Sequence, residues 1–393
     1  MNSCLIAGRF VKSCRSAVTG GAVPDGKLLL RQGIWSIRNR PFNPIKSRNY
    51  FYGKYKQEEK VGSIEEGVKQ AVEICLKVKA GESAVIITDA ETVEIGSAIK
   101  TAVEKITAEV KFFIMENFGA RPIDYPQVID DAIKVADVSI YAAQGAEGEL
   151  QTFRMRMLKA IEANPRLRHG HMIGITPEIM KDGMCSDYKE IQRVSRLVYE
   201  KVRNAGKISV ITEIGNDFVA EFGPRLKWII SDGDIAPGQW MNLPDGEVFT
   251  SPLAVNGTVV IDGCLGDFFT RKYGSLEKTP VIIEVENGRA VKESIRCDNK
   301  PLRKELTKYL FEIDEHSSRV GEFAIGTNTG LTELIYNLLQ DEKFPGVHIA
   351  FGSPLPGKTG AKWDSKAHVD GVIKNPTIDV DGEMLMNKGE FCL

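Results

Sequence analysis

Between residue 63 and about residue 205, apolar positions follow two alternating periods. Four of them recur at helical spacing ahead of the uninterrupted apolar run 84–87, which is typical of a buried strand. The four are Ile64, Val68, Val72 and Leu76. The succession then repeats, with predicted helices at 91–106, 125–136, 150–163 and 186–204 and predicted strands at 110–115, 138–142 and 172–176. Strict alternation of strand and helix indicates a parallel sheet with helices on both faces, so we predict a parallel α/β domain at 60–205.

After Gly206 the pattern changes to short apolar runs separated by turn residues. Predicted strands lie at 208–214, 226–230, 248–250, 258–261 and 281–285, and predicted helices at 302–311 and 332–339. Asn256-Gly257 and Asn287-Gly288 are predicted hairpin turns, because type I′ turns need positive φ at both central residues. The second domain, 206–393, is therefore expected to be mainly antiparallel α+β, and the fold class of the whole chain to be α/β.

The first 50 residues differ from the rest in charge. They hold nine Lys or Arg and a single acid, Asp25, whereas the whole chain of 393 residues has a formal net charge of -2. This composition fits an organelle transit peptide, a disordered basic extension or a start codon assigned too early. We treat 1–59 as a basic, poorly ordered N-terminal extension and expect a cytoplasmic protein unless that segment is a targeting signal.

Several classes of function are disfavoured by composition. The net charge gives no electrostatic case for a nucleic-acid partner, and apolar runs such as 85–87 are far too short for a membrane span. The seven scattered cysteines, without CxxC spacing, fit a reducing compartment and argue against a cysteine zinc site. Residues 352–359 match the phosphate-loop pattern GxxxxGK[ST], but Pro354 and Pro356 remove two N–H donors that such a loop needs. We interpret this segment as a surface or active-site loop.

Metal chemistry is better supported. His368 and Asp370 are two residues apart, so on a strand both side chains would point to the same face, and His348 lies only 20 residues earlier. Glu247 and Glu322 each follow a glycine and enter an apolar run, where an unpaired charge would be costly to bury and a cation would offset the cost. Nitrogen and oxygen donors together suit Zn, Co, Mn or Fe(II). The alternative interpretation is a surface histidine beside a charged neighbour and strand-edge glutamates that face water.

Four motifs then occur in an order that resembles a known family. They are LPDGEVFT (243–250), GEFAIGTN (321–328), HIAFG (348–352) and HVD (368–370). In this order they resemble the aminopeptidase T and aminopeptidase S family, the M29 metallopeptidases, over about residues 60–393. The resemblance implies an α/β N-terminal domain, which agrees with the alternation found from the apolar pattern.

The resemblance also implies a site and an activity. Two divalent metals, zinc or cobalt, would activate a water that removes the N-terminal residue of a small peptide. Their ligands would be Glu247, Glu322, His348, His368 and Asp370. Glu247 or Glu322 would also move protons as the general base. Members of the family are usually homodimers, so we expect a homodimer here.

One departure from the family leaves other readings open. The family has a tyrosine ligand several residues after the first histidine, and no tyrosine occurs between His348 and His368. The loss is compatible with a mononuclear site, with a water in place of the tyrosine, or with another reaction. Dihydroxypyridine ring-cleaving dioxygenases of related fold hold one Fe(II) with two histidines and an aspartate, which His348, His368 and Asp370 would supply. A third reading is a catalytically degenerate relative. Five ligands, three of them acidic, favour two divalent cations and the hydrolase.

A second pair of histidines, His169 and His171, lies at the start of the strand predicted at 172–176. Paired histidines in such turns are more often solvated than metal-bound. We interpret them as cleft residues.

Overall fold

The computed structural model describes residues 62–393, and the predicted basic extension 1–59 lies outside the described residues. The described residues belong to one compact unit, and the division into domains at 60–205 and 206–393 stays a prediction. None of the helices in this part of the chain has the length and apolar character needed to cross a membrane.

The first elements alternate as predicted. In chain order they are α1 (Ile64–Lys69), a π-helical turn (Gln70–Cys75), β1 (Ala84–Thr88), α2 (Val93–Glu104), β2 (Val110–Ile114), a 3-10 turn (Met115–Phe118), α3 (Gln127–Val135), β3 (Val138–Ala143), a π-helical turn (Leu150–Arg154), α4 (Met155–Glu162), β4 (Arg168–Ile173), α5 (Pro177–Lys181), a 3-10 turn (Gly183–Cys185) and α6 (Tyr188–Val202). The fourth strand begins four residues before the predicted start, so it contains His169 and His171.

The remaining elements are mainly strands. They are β5 (Lys207–Ile211), β6 (Asp217–Glu221), β7 (Ile229–Ser231), β8 (Gln239–Asn242), β9 (Glu247–Thr250), β10 (Ala254–Ile261), α7 (Asp267–Tyr273), β11 (Val281–Glu286), β12 (Arg289–Ala290), a 3-10 turn (Lys292–Ser294), α8 (Lys300–Glu312), β13 (Val320–Gly326), α9 (Leu338–Asp341), β14 (Gly346–Gly352), α10 (Pro356–Thr359), β15 (His368–Ile373), β16 (Thr377–Val380), β17 (Glu383–Asn387) and β18 (Glu390–Phe391).

A parallel sheet is built mostly from the first half of the chain. Its strand order is β2-β1-β3-β4-β8, and every pairing in it is parallel. Alternate residues of β1 pack into different apolar clusters, Ala84 and Ile86 on one face and Val85 and Ile87 on the other. Since successive side chains of a strand point to opposite faces, both faces of the sheet are covered, as the alternation predicted. The addition of β8, from the second half of the chain, was not predicted.

Two antiparallel sheets form the rest. One has the order β12-β11-β10-β6-β5-β16-β17-β18, and the other has the order β15-β14-β13-β9-β7. One apolar cluster includes residues of both sheets and of α6 and α8. The predicted α/β class, with a parallel sheet and mainly antiparallel C-terminal sheets, is confirmed.

Two local predictions in the second half are wrong. Asn256-Gly257 is not a turn but lies inside β10, where Gly257 pairs with Phe218 on one side and Val285 on the other. A Cβ on Gly257 would lie 2.2 Å from the carbonyl oxygen of Asp217, so this glycine serves the close approach of two strands. The helix predicted at 332–339 is restricted to α9, because Asn337 caps its first turn by accepting a hydrogen bond from the N–H of Leu339.

The turn predicted at Asn287-Gly288 is confirmed. It connects β11 to β12, and both residues have positive φ, 49° and 75°.

A buried ion-pair network lies beyond the carboxyl ends of the parallel strands. The guanidinium of Arg121 contacts the carboxylates of Asp89, which follows β1, and Glu149, and it donates a hydrogen bond of 2.6 Å to the carbonyl of Gln144. Both carboxylates are fully buried. Because a buried carboxylate without a partner is strongly unfavourable, the fold depends on Arg121 at this edge.

We therefore expect Arg121→Met to lower the free energy of unfolding by about 3–5 kcal/mol, the range for breaking a buried ion pair from one side. Urea unfolding followed by circular dichroism would measure the loss. In the double variant Arg121→Met, Glu149→Gln, one of the two stranded charges is gone, so part of the loss should be recovered. Equal losses in the single and double variants would show that packing, rather than charge, is what Arg121 contributes.

Candidate metal centre and cleft

Five predicted site residues share one face of the sheet β15-β14-β13-β9-β7. Glu322 pairs with Ala350, which in turn pairs with Asp370, so these carboxylates lie on one row across three strands. Directly paired residues in an antiparallel sheet point to the same face, as do residues two apart on one strand. That rule places His348, two residues before Ala350, and His368, two residues before Asp370, on this face.

Glu247 completes the face from the neighbouring strand. It pairs with Gly326 of β13, four residues after Glu322, so it projects on the same side. The residues between the five side chains are small: Ala324, Gly326, Ala350 and Gly352. The face therefore forms a shallow depression with nitrogen and oxygen donors around it.

Glu322 is the central side chain of the group. Its Oε1 lies 3.6 Å from Nε2 of His348, and its Oε2 lies 3.7 Å from Nε2 of His368. On the outer sides, Nε2 of His348 is 3.4 Å from Oε2 of Glu247, and Nε2 of His368 is 3.4 Å from Oδ1 of Asp370. His368 is the most open member, with 33% of its side-chain surface exposed, and the other four are buried.

The donor atoms fall into three overlapping sets, within each of which all atoms lie within 4.8 Å of one another. The sets are Glu247, Glu322 and His348; Glu322, His368 and Asp370; and Glu342, His348 and Asp370. All five predicted residues thus come together. Glu342 was missed, because it follows the one-turn helix α9 in a stretch with no strand or helix periodicity that would orient it.

A buried lysine next to Glu342 was missed for the same reason. Nζ of Lys343 lies 2.7 Å from Oε1 of Glu247 and 2.7 Å from Oε1 of Glu342, and 4.0 Å from Oδ1 of Asp245. Burial alone would lower the pKa of Lys343, but Glu247, Glu342 and Asp245 outweigh it and hold the pKa well above its usual value. Lys343 is therefore a fixed positive charge beneath the cluster.

The carboxylates of the cluster shift the pKa values of the two histidines. Burial lowers the pKa of His348, but its interaction as a donor with the carboxylate of Glu322 and the charge of Glu247 prevail and raise it to about 9. For His368, burial is likewise outweighed, chiefly by Asp370, and the pKa rises to about 10. Burial raises the pKa of Glu342 to about 8 in spite of Lys343. The whole cluster thus favours additional positive charge at its centre.

The cluster opens into a cleft of about 690 Å³. Part of the cleft wall comes from the parallel sheet and the helix before it, through Arg154, His171 and Trp240. Another part comes from the loop after β14, through Leu355 and Lys358, and Leu355 has a left-handed backbone with φ of 52°. The segment that matched the phosphate-loop pattern is therefore a loop of this cleft.

His169 and His171 form a buried hydrogen-bonded chain. Nδ1 of His169 lies 2.7 Å from Oγ of Ser139, and Nε2 of His169 lies 3.2 Å from Nδ1 of His171. Burial lowers the pKa of His169 to about 3 and that of His171 well below its usual value, so both rings are neutral. Neither belongs to a donor set found in the described part of the chain. The prediction of a cleft residue is confirmed for His171, which lines the cleft.

Comparison with known proteins places these observations in a family context. The family model described as thermophilic metalloprotease (M29) matches residues 187–391, a range that contains the cluster but not Arg154 or His171. No curated protein matches the chain.

Two solved structures share the fold. The chain resembles 2,5-dihydroxypyridine dioxygenase from Pseudomonas putida KT2440 with a TM-score of 0.61 and 17% identity, over 84% of this chain and 96% of that one. It resembles wild-type AmpT from Thermus thermophilus with a TM-score of 0.60 and 18% identity, over 84% of this chain and 99% of that one. At these identities the two structures establish the fold alone.

The neutral histidine pair predicts a pH dependence of stability. An unfolded chain protonates histidine near pH 6.5, whereas burial lowers the pKa of His169 to about 3 and that of His171 well below its usual value in the folded chain. The unfolded state then binds more protons below about pH 6.5, so the free energy of unfolding falls as pH falls through that range. His171→Phe removes one of the two groups, and the slope should become shallower by up to about 1.4 kcal/mol per pH unit.

Urea titrations between about pH 5 and pH 7, followed by tryptophan fluorescence, measure that slope. The matched control is His316→Phe, at a half-buried histidine away from the cleft, whose slope should differ less from that of the unmodified chain. Identical slopes for His171→Phe and the unmodified chain would contradict the neutral buried pair.

Proposed function

The chain belongs to the thermophilic metalloprotease (M29) family, and from that premise we propose that it is a metal-dependent aminopeptidase-type hydrolase acting on small peptides. The proposal includes zinc or cobalt as the metal, about two ions per chain, a homodimer and a cytoplasmic location. The observation that carries it is the position of Glu322, which belongs to two donor sets at once.

The geometry fits two neighbouring cations. One would be held by Glu247 and His348 and the other by His368 and Asp370, with Glu322 able to offer one oxygen to each. Nitrogen with carboxylate oxygen is a donor set that suits zinc and cobalt. Cations held there would lower the pKa of a water and polarise the scissile carbonyl.

Formal charge also supports two cations. The buried carboxylates around the depression are Asp245, Glu247, Glu322, Glu342 and Asp370, and Lys343 is the buried lysine among them. With both imidazoles neutral, as metal ligation requires, and with Glu342 protonated because its pKa is raised to about 8, four negative charges and one positive charge leave a net of -3. A single divalent cation would offset only part of this charge.

The chain's own residues would then have separate tasks. The depression would place the N-terminal residue of a peptide beside the cations, and Lys343 holds Glu247 and Glu342 in place from below. The proton-moving role predicted for Glu247 or Glu322 stays a prediction. Glu342 is a third candidate, because it lines the cleft yet lies outside the two sets that share Glu322.

The dioxygenase reading is less well supported. It needs His348, His368 and Asp370 around a single iron, and among the described residues these three do not occur together in any donor set. The absence of a tyrosine before His368 and the fold shared with a dioxygenase are what favour it. The degenerate reading predicts that no metal is bound.

Metal content and hydrolysis test the proposal together. Protein purified without chelator should contain about two zinc or cobalt ions per chain by plasma mass spectrometry and should release the N-terminal residue of aminoacyl amides. In His368→Ala or Asp370→Ala, metal content should fall, and activity should fall by at least about 100-fold, the upper range for losing even an outer-shell partner of a metal site. The thermal unfolding midpoint of the metal-free protein should change little, because the apolar clusters do not include these side chains.

His316→Ala is the matched control and should keep both metal and activity. One iron per chain with oxygen uptake on 2,5-dihydroxypyridine would instead establish the dioxygenase. Absence of metal from both the unmodified and the variant chains would leave a degenerate relative, and unchanged metal in His368→Ala would show that the site is placed wrongly.

A further inference from the structure

The cleft has a second group of polar side chains that the metal centre does not use. We call Arg154, His171 and Lys358 the basic wall; all three line the same cleft as Glu322 and Asp370. They come from three separate elements: the π-helical turn before α4, strand β4 and helix α10. Trp240 connects two of them, since its ring lies 4.3 Å from Nζ of Lys358 and 5.9 Å from the ring of His171.

His171 is the buried and firmly held member of the basic wall. It is 2% exposed, its ring stacks on Tyr141 at 5.0 Å, and its Nε2 is buried without a hydrogen-bond partner in the described residues. When the hydroxyl of Ser139 donates to Nδ1 of His169, His169 donates from Nε2 to Nδ1 of His171. The proton of His171 is then on Nε2, which becomes a hydrogen-bond donor held rigidly at the cleft wall.

The two cations of the wall make no direct ion pair. Within the described residues, no salt bridge joins Arg154 or Lys358 to a carboxylate, and Nε of Arg154 is buried without a hydrogen-bond partner. Burial lowers the pKa of Lys358, and the more distant carboxylates of Glu247, Asp245 and Glu322 oppose that shift. Nζ of Lys358 faces the rings of Trp240 and Phe249. A buried cation without a directly bonded anion favours a ligand that supplies one.

We propose that Arg154, His171 and Lys358 bind the C-terminal carboxylate of the substrate. This inference rests on the proposed function. It makes the enzyme selective for short peptides, because both charged ends of a short peptide fit one cleft. The metal centre would receive the amino end, and the basic wall supplies two cations and a neutral donor for the carboxylate end. A cleft of about 690 Å³ is within the range of small-molecule sites, and a long polypeptide would not place its C-terminus inside it.

Binding without turnover is the first test. N-acetylglycine has the carboxylate but no free amine, and N-acetylglycinamide lacks both charges. In calorimetric titrations of the metal-loaded chain we expect the acid to bind at least about 10-fold more tightly than the amide, as a charge-assisted contact would give. Lys358→Met and Arg154→Met should each remove that difference. Lys362→Met, at an exposed lysine of the same loop, is the matched control and should retain it.

Equal binding of acid and amide would overturn the proposal. Binding of the acid that persists unchanged in Lys358→Met and Arg154→Met would also overturn it, because the carboxylate would then be on the metals. Should Arg154→Met unfold, Arg154→Lys and Lys358→Met still decide the question, since Arg154→Lys retains the charge and should retain part of the preference.

Hydrolysis separates this inference from the proposed function. We expect the KM for Leu-Gly to be at least about 10-fold below that for Leu-Gly amide, with the gap closing in Lys358→Met through KM more than kcat. Leu-Asp amide tests the other source of a carboxylate, and a preference for it over Leu-Gly would overturn the C-terminal assignment. Tight binding of N-acetylglycine without cleavage of any peptide would support the basic wall and refute the hydrolase. Cleavage of peptides with no preference for the free acid would support the hydrolase and refute carboxylate binding by the basic wall.

Discussion

The burial of like charges at one end of an antiparallel sheet is the constraint on which the site depends. Glu247, Glu322 and Asp370 are all less than 10% exposed, and the apolar underside of their strands packs into the main core. The carboxylates cannot move apart without breaking that packing, so positive charge has to come to them. Lys343 supplies one such charge through its contact with Glu247. The remaining negative charge faces the open side, where a cation can enter from the cleft.

The same constraint explains why the recognisable motifs contain glycine. A Cβ on Gly326 would lie 2.0 Å from the carbonyl oxygen of Phe344, and a Cβ on Gly352 would lie 2.1 Å from that of Ala367. Both glycines therefore permit backbone contacts that draw β13, β14 and β15 together at the row of donors. The motifs GEFAIGTN and HIAFG thus encode the spacing of the donors as well as their identity. Motif matching locates this site because its geometry is local to three neighbouring strands.

Sequence reasoning succeeded where side-chain direction follows from a regular period and failed where it does not. His368 and Asp370 could be placed on one face because a strand alternates, and their agreement with Glu322 follows from register. Glu342 and Lys343 follow a single helical turn, and no period connects that turn to the sheet it packs against. Strand β8 is four residues long and joins a sheet whose other strands end about 65 residues earlier, so only the tertiary structure reveals the pairing. The turn predicted at Asn256-Gly257 is wrong, because the local sequence does not distinguish a glycine that permits close approach of two strands from a glycine in a turn.

The two halves of the cleft are joined by a short, tightly held piece of chain. Trp240 on β8 lies beside the basic wall, and Glu247, seven residues later, begins the strand of the metal site. Between them, the carbonyl of Gly246 accepts a hydrogen bond of 2.7 Å from the N–H of Thr327, and the carbonyl of Asp245 accepts one of 3.1 Å from Nδ2 of Asn328. Gly246 has a φ of 133°, and a Cβ there would lie 2.9 Å from the N of Asn328, so the segment has little freedom to shift. The separation of Trp240 from Glu247 is therefore set by backbone contacts within the core, and a ligand that touched both would meet a distance fixed before it binds.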